Sequence, residues 1–92
     1  MKPNVHKVAR YILDKRGAMS GMKLQKLCYY AQAWHMVWED ETLFDEDFQA
    51  WANEPVCRSL YASHRREFMV HTIPDVAGAE LTAPQKKVSI LF

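Results

Sequence analysis

The segment from Met22 to Trp38 constrains the fold more than any other part of the chain. Its apolar residues recur at helical spacing and form one continuous stripe over about four turns, roughly 24 Å of helix. The stripe consists of Leu24, Leu27, Cys28, Ala31, Trp34, His35 and Trp38. Because a continuous apolar stripe needs a protein surface to pack against, this face is predicted to lie in the core.

The other two faces of the same predicted helix are not simply polar. The second face mixes amides with large side chains: Gln25, Tyr29, Gln32 and Met36. The third face contains Lys23, Lys26, Tyr30, Ala33 and Val37. A helix at the surface normally has one uniformly polar side, so this composition predicts a central helix that is contacted on several sides.

A shorter helix is predicted before it, from Asn4 to Arg16. Asn4 is a suitable N-cap, and Gly17 is a suitable stop after the last turn. Ser20 is the expected N-cap of the central helix. The apolar residues of the first helix fall on one face, which contains Val5, Val8, Ala9, Ile12 and Leu13.

After the central helix, alternating patterns predict two short strands at about residues 48–52 and 69–73. Between them a third helix is predicted near 55–67, with Asn53 as its cap and Pro55 in its first turn. Its apolar face repeats every four residues at Val56, Leu60, His64 and Phe68.

A last helix begins at a capping box formed by Thr82 and Gln85. The whole pattern predicts a mainly α fold: a small helical domain around a central helix at about 22–38, with two short strands. A chain of 92 residues has room for one domain, residues 1–92.

Charge is distributed unevenly along the chain although the net charge is only +1. Residues 1–38 contain seven lysines and arginines and a single acid, Asp14, whereas residues 39–54 contain seven acids and no base. The near-neutral total does not indicate a general nucleic-acid binder, but separated patches of opposite sign steer protein partners. A basic patch around Arg58 and Arg65, with Tyr61 between them, leaves a nucleic-acid contact open as the alternative.

The sequence contains no motif for catalysis, for a metal or for a cofactor. Three scattered glycines cannot form a phosphate-binding loop, and the four histidines and two cysteines show no metal-ligand spacing. Cys28 and His35 share a helix face, for which packing is the expected role. The sequence therefore predicts a protein that is not an enzyme and that has no cofactor.

Localisation is predicted from what the sequence lacks. No apolar stretch approaches the roughly 20 residues needed to cross a membrane, and the first residues show no secretory signal. Cys28 and Cys57 are too few for a disulfide framework. These observations predict a cytoplasmic protein with free thiols and without membrane contact.

The segment Met22–His35 reads MKLQKLCYYAQAWH. It resembles the signature of the Panacea domain, also called the SocA-like antitoxin family, which is phage-associated. Members of that family read K-L-Q-K-L-x-Y-Y-A-Q-x-W-H on a central helix. Further blocks follow in the family order, at Leu43–Asp45, Ala50–Trp51, Pro55–Val56 and Leu60–Tyr61.

This chain departs from the family pattern at two places. Glu54 stands where members usually have a glycine before Pro55. If that position requires a positive φ, the glutamate is strained there; if it begins a helix, the acid suits the helix dipole. Members are also usually longer after the capping box, so the resemblance implies a domain shortened at its C-terminus.

The resemblance implies an antitoxin that neutralises a partner toxin by direct binding. One subgroup of the family works as an adaptor that delivers its toxin to the ClpXP protease, and the resemblance leaves open whether this chain is an adaptor or a simple mask. The alternative is a nucleic-acid-binding autoregulator of phage or toxin–antitoxin origin. The oligomeric state is left open.

The residues predicted to contact the partner lie on the polar stripes of the central helix: Lys23, Gln25, Lys26, Tyr29, Tyr30 and Gln32. The residues predicted to form the core of the family motif are Leu24, Leu27, Ala31, Trp34, Trp51 and Pro55. For Tyr29 and Gln32, contact and core packing stay open. Lys23 and Lys26 are also typical of a solvated face.

Overall fold

The second helix, α2, is the central element of the computed structural model, which describes residues 2–52, 54–74 and 76–92. The described helices are α1 Val5–Arg16, α2 Gly21–Glu39, α3 Arg58–His64 and α4 Ala83–Ser89. The described strands are β1 Met19–Ser20, β2 Gln49–Trp51, β3 Glu54–Val56 and β4 Met69–Val70. α2 contacts all three other helices as well as β1 and β3, and the predicted mainly α fold around it is confirmed.

The predicted helix boundaries agree with the hydrogen bonds at the ends of α1 and α2. The side chain of Asn4 accepts from the backbone N–H of Lys7 at 2.9 Å, and the N–H of Gly17 donates to the carbonyl of Leu13 at 2.8 Å. Gly17 has a φ of 86°, which glycine adopts without steric cost. Ser20 caps α2 by accepting from the N–H of Lys23 at 3.2 Å.

The core is formed where α1 crosses α2. α1 buries the five apolar residues predicted for its face, from Val5 to Leu13. α2 contributes Leu24, Cys28 and Ala31, each without solvent exposure. The later segments close the core with Leu43, Phe44, Leu60, Val70, Ile73, Leu81 and Val88. The core therefore combines one face of each of these two helices with side chains from the later segments.

The strands form two antiparallel pairs at the edges of the helical core. β2 and β3 form a hairpin in which Gln49 pairs with Val56 and Trp51 with Glu54. β1 pairs with β4 through Met19 and Val70. The predicted strand at 48–52 is thus present as a slightly shorter β2, and the predicted strand at 69–73 ends at Val70. β1 was not predicted, because two residues form a strand only through a distant partner.

The prediction for the third helix was wrong at its start and at its end. Glu54–Val56 is the strand β3, and α3 begins only at Arg58. The fixed φ of Pro55 suits an extended edge strand as well as a first helical turn, and pairing with β2 selects the strand. The predicted cap, Asn53, lies outside the described residues. Phe68 lies beyond α3 and is 88% exposed.

Gly21 allows the start of α2 to approach α3 closely. A Cβ atom at this position would lie 2.4 Å from Nδ1 of His64, well inside van der Waals contact. An alanine in a helix is normally more favourable than a glycine by about 1 kcal/mol. Glycine at this position therefore allows close packing against His64, although alanine would favour the helix.

We expect Gly21→Ala to destabilise the domain by about 1–3 kcal/mol, as overpacked core sites do. Chemical denaturation followed by circular dichroism measures this change in the free energy of unfolding. The matched control is the same substitution in a His64→Ala background, where the clash is absent and the cost should largely disappear. An equal cost in both backgrounds would contradict the packing explanation.

Candidate functional site

The side of α2 that faces away from the core is largely apolar, although it is exposed. We call this side the outer face of α2. Its large apolar residues are between 37% and 70% exposed, with Val37 the most exposed. They are Met22, Tyr29, Tyr30, Trp34, Met36, Val37 and Trp38. Clustered exposed apolar residues on a small protein mark an interaction surface.

Four of the six residues predicted to contact a partner lie on this outer face. Lys23, Lys26, Tyr29 and Tyr30 are all exposed. Successive helical residues are rotated by about 100°, so Tyr29 and Tyr30 point to different sides of the face. Tyr29 and Lys26 lie towards the β2–β3 hairpin, and Tyr30 packs towards the C-terminal residue Phe92.

Gln25, which was predicted to contact the partner, does not lie on this surface. It is fully buried. Its Oε1 accepts from the N–H of Cys57 at 2.8 Å, and its Nε2 donates to the carbonyl of Cys57 at 3.3 Å and to Nε2 of His64 at 2.9 Å. These hydrogen bonds join α2 to the start of α3. They also satisfy the buried amide, which would cost free energy if it were left unpaired in the core.

Gln32 is half-buried and has a similar structural role. Its Oε1 accepts from the N–H groups of Leu43 and Phe44 at 2.6 and 3.4 Å, and its Nε2 donates to the Phe44 carbonyl at 2.8 Å. His35 binds the same loop, with Nδ1 2.9 Å from the carbonyl oxygen of Glu41. For Gln32, where contact and core packing were both open, the bonds favour a structural role in the acidic loop.

The predicted core of the motif divides into buried and exposed residues. Leu24 and Ala31 are fully buried, and Leu27 and Pro55 are partly buried. Trp34 is 37% exposed and Trp51 is 36% exposed, so neither fills the core as expected. Trp34 lies at the edge of the buried arc of α2, which is centred on Leu24, Cys28, Ala31 and His35. Trp51 packs edge-on against Tyr61 outside the core.

A groove of about 380 Å³ separates the outer face of α2 from the β2–β3 hairpin. We call it the hairpin groove; it is lined by Tyr29, Phe48, Gln49, Ala50, Glu54 and Pro55. The Tyr29 ring meets the Phe48 ring edge-on at 5.4 Å, and Phe48 lies 6.0 Å from the buried ring of Phe44. The aromatic wall of the groove is thus continuous with the core, which holds the exposed Tyr29 ring in place.

A charged pair lies beside this wall. Lys26 Nζ is 3.3 Å from Oε2 of Glu54, with both side chains partly exposed. The Oε2 atom itself is shielded from solvent and accepts no hydrogen bond from a described residue, so the contact is an ion pair without hydrogen-bond geometry. Glu54 lies in the extended strand β3, so it neither begins a helix nor has a positive φ.

A family model matches most of the described fold and shows which family the chain belongs to. Residues 24–83 match the family model described as antitoxin SocA-like, Panacea domain. The chain belongs to the SocA-like antitoxin family. The matched segment of this SocA-like domain extends from α2 to the first residue of α4 and contains the whole hairpin groove. No curated protein and no solved structure matches the chain.

Residues 2–52, 54–74 and 76–92 contain no group of three or more His, Cys, Asp or Glu side chains able to hold a metal ion. Cys28 and Cys57 are buried free thiols, and burial raises the pKa of Cys28 well above its usual value. A thiol in this state is a poor nucleophile. None of the helices in the described part of the chain has the length and hydropathy to cross a bilayer.

The buried contact between Gln25 and His64 predicts how stability depends on pH. The Oε1 of Gln25 is engaged by an N–H group, so its Nε2 is the donor to His64 and the imidazole accepts in its neutral form. Burial is the main cause that lowers the pKa of His64 below the usual 6.5. The unfolded chain therefore binds a proton here at a higher pH than the folded chain does.

We expect full stability from this group above about pH 6.5, and a loss as the pH falls through the lowered pKa of folded His64. Melting temperatures from about pH 7.5 down to about pH 5 measure the effect. In His64→Gln, which cannot titrate, the melting temperature should depend less on pH over this range. An unchanged pH dependence in that variant would contradict the assignment to His64.

Proposed function

We propose that this chain neutralises a partner toxin by direct, stoichiometric contact through the hairpin groove. The observation that supports this most is a fixed, exposed tyrosine ring on the wall of a concave groove, with a partly exposed ion pair beside it. Tyr29 is 42% exposed, and the ion pair is formed by Lys26 and Glu54. Membership of the SocA-like family supports a role as an antitoxin. The hairpin groove lies within the segment that matches the family model, and Tyr29 lines it.

The aromatic wall suits the anchor of a protein interface. Tyrosine is enriched in such anchors because its ring buries a large area and few rotamers are lost on binding. The Tyr29 ring is already positioned by Phe48, so little conformational entropy opposes binding. We expect the toxin to insert an apolar side chain between Tyr29 and Pro55.

The charged pair suits recognition of a polar group next to that apolar side chain. The side chains of Lys26 and Glu54 are both partly exposed, so a polar group of the toxin can reach the pair. The Lys26 ammonium has three N–H donors, so it can contact Glu54 and an acceptor on the toxin, such as a carboxylate or a backbone carbonyl, at the same time. No chemical step is involved, and we propose that the protein is not an enzyme.

We expect Tyr29→Ala to abolish rescue of cells from a toxin encoded beside this chain, while the melting temperature changes little. Truncating an interface anchor costs about 2 kcal/mol or more of binding, whereas an exposed helix residue costs about 0.5 kcal/mol of stability. Rescue assays, pull-down of the toxin and thermal melts of each variant measure the two effects.

Two variants control this experiment. Tyr30→Ala removes a tyrosine of similar exposure, 40% against 42%, that does not line the groove, so rescue should persist. Gln32→Ala should melt early, because it removes the bonds to residues 43–44. If Tyr29→Ala melts as early as Gln32→Ala, or if Tyr30→Ala abolishes rescue equally, the groove is not the toxin site.

Delivery of the toxin to a ClpXP-type protease is a further part of the proposal, supported only by resemblance to an adaptor subgroup. It is tested by the half-life of the toxin in cells with and without this chain. A half-life that shortens only when both the chain and the protease are present supports an adaptor. A half-life that stays the same or lengthens indicates simple masking of the toxin.

A second candidate function, nucleic-acid binding, is favoured by a different groove of about 470 Å³. Arg58 and Arg65 border it, and its wall is formed by Trp51 and Tyr61, whose rings lie 5.1 Å apart. Arginines bind phosphates, and exposed rings stack on bases. This arrangement is the basic patch expected from the sequence, although the net charge of +1 opposes strong general binding.

For this second function we expect binding of a labelled oligonucleotide to weaken steeply as salt increases. Fluorescence anisotropy at several salt concentrations gives the slope, which should fall by about 1 when Arg65→Ala removes one phosphate contact. Lys15→Ala, at an exposed base on α1, serves as the charge-matched control. Absence of binding at low salt, or equal slopes for both variants, would contradict a role in nucleic-acid binding.

A further inference from the structure

A second aromatic surface lies on the side of α2 opposite to the hairpin groove. Tyr30, Trp34 and Trp38 follow each other at four-residue intervals, and Phe92 packs beside them. We call these four residues the aromatic ladder. The Tyr30 and Phe92 rings are 5.1 Å apart, and those of Trp34 and Trp38 are 5.3 Å apart. All four remain between 37% and 51% exposed.

The charges at the ends of α2 are arranged against its own helix dipole. Acids stabilise a helix N-terminus and bases stabilise its C-terminus. α2 has no acid in its first turn and no base in its last turn. Lys23 lies in the first turn, Glu39 ends the helix, and the acids Asp40 and Glu41 follow. This order of charges lowers the stability of an isolated α2. Opposite charges from a partner, placed near each end of the helix, would offset this loss.

We propose that the aromatic ladder is the contact surface for a second copy of this chain, with the two α2 helices antiparallel. A two-fold axis beside the midpoint of Tyr30 and Trp34 places Tyr30 of each copy opposite Trp34 of the other. The same axis brings the Lys23 end of each helix to the acidic 39–41 end of the other. A closed two-fold pair buries the same surface on both copies.

The charge pattern favours a second copy of this chain as the partner, and it favours an antiparallel arrangement of the two α2 helices. A parallel pair would place lysine against lysine and acid against acid, which costs free energy, whereas the antiparallel pair matches opposite charges at both ends. The opposed helix dipoles favour the same direction. The contact involves one side of α2 and the ring of Phe92, which is small for a protein interface, so we expect a micromolar dissociation constant.

The hairpin groove stays open in such a dimer, because Tyr29 and Lys26 point to the other side of the outer face. One dimer therefore presents two grooves. The dimer does not depend on the proposed toxin contact, so the two proposals can be tested separately. Tyr29→Ala should remain dimeric, and a monomeric variant should still bind the toxin.

Charge-reversal variants test this arrangement. We expect Lys23→Glu and Glu41→Lys each to weaken the dimer about tenfold or more, because each one creates like-charge contacts at both ends. Both changes place a charge that the helix dipole favours, so neither should unfold the chain. Mixing the two variants should restore association as a heterodimer, since opposite charges then meet at both ends.

Sedimentation equilibrium across micromolar concentrations measures these masses. For the wild type we expect a rise from 10.7 kDa towards twice that value and no further. Trp34→Ser, which removes a ring of the aromatic ladder, should remain at the mass of one chain while circular dichroism shows it folded. A wild type that stays monomeric, a mass that rises beyond two chains, or a mixture that fails to associate would overturn the proposal.

Discussion

Two buried or half-buried glutamine amides on α2 hold the rest of the domain in place. Gln25 binds both backbone groups of Cys57, and Gln32, seven residues later, binds the backbone of residues 43–44. Each amide satisfies polar groups of an irregular segment that would otherwise enter the core unpaired. Without these bonds neither the acidic loop nor the start of α3 has a fixed position, and the hairpin groove between them loses its shape. The family signature therefore includes polar residues that act as structural anchors.

The same helix exposes an unusual amount of apolar surface because its buried arc is narrow. Leu24, Cys28, Ala31 and His35 face the core, and these side chains, mostly small or medium in size, let α1 and the loops approach closely. The large aromatic residues are placed on both sides of this arc, where packing covers them only in part. One side forms the hairpin groove and the other forms the aromatic ladder. Exposed apolar surface of this extent on a small domain is typical of interaction surfaces.

Much of the fold could be predicted from local signals. The caps at Asn4, Ser20 and Thr82 and the stop at Gly17 are short-range hydrogen-bond patterns, and all four are present. The strand at Glu54–Val56 was missed, because the same proline that begins a helix also suits an edge strand. The site was predicted in part: Lys26 and Tyr29 line or border the groove, but Glu54, Phe48 and Pro55 come from distant segments, and no sequence signal joined them to Tyr29.

What the sequence by itself determined is the existence of a central amphipathic helix, its ends, the single buried face of α1 and the family. These depend on periodicity and on residues within a few positions of each other. Only the tertiary structure decided how α2 is rotated: Gln25 points inwards, and Trp34 points partly to solvent. Helical spacing alone allows several sides of α2 to face the core. The side that does so is the one that lets Gln25 bind the backbone of Cys57 and Gln32 bind the backbone of residues 43–44. Those groups are distant along the chain, so the rotation is decided by packing and hydrogen bonding together.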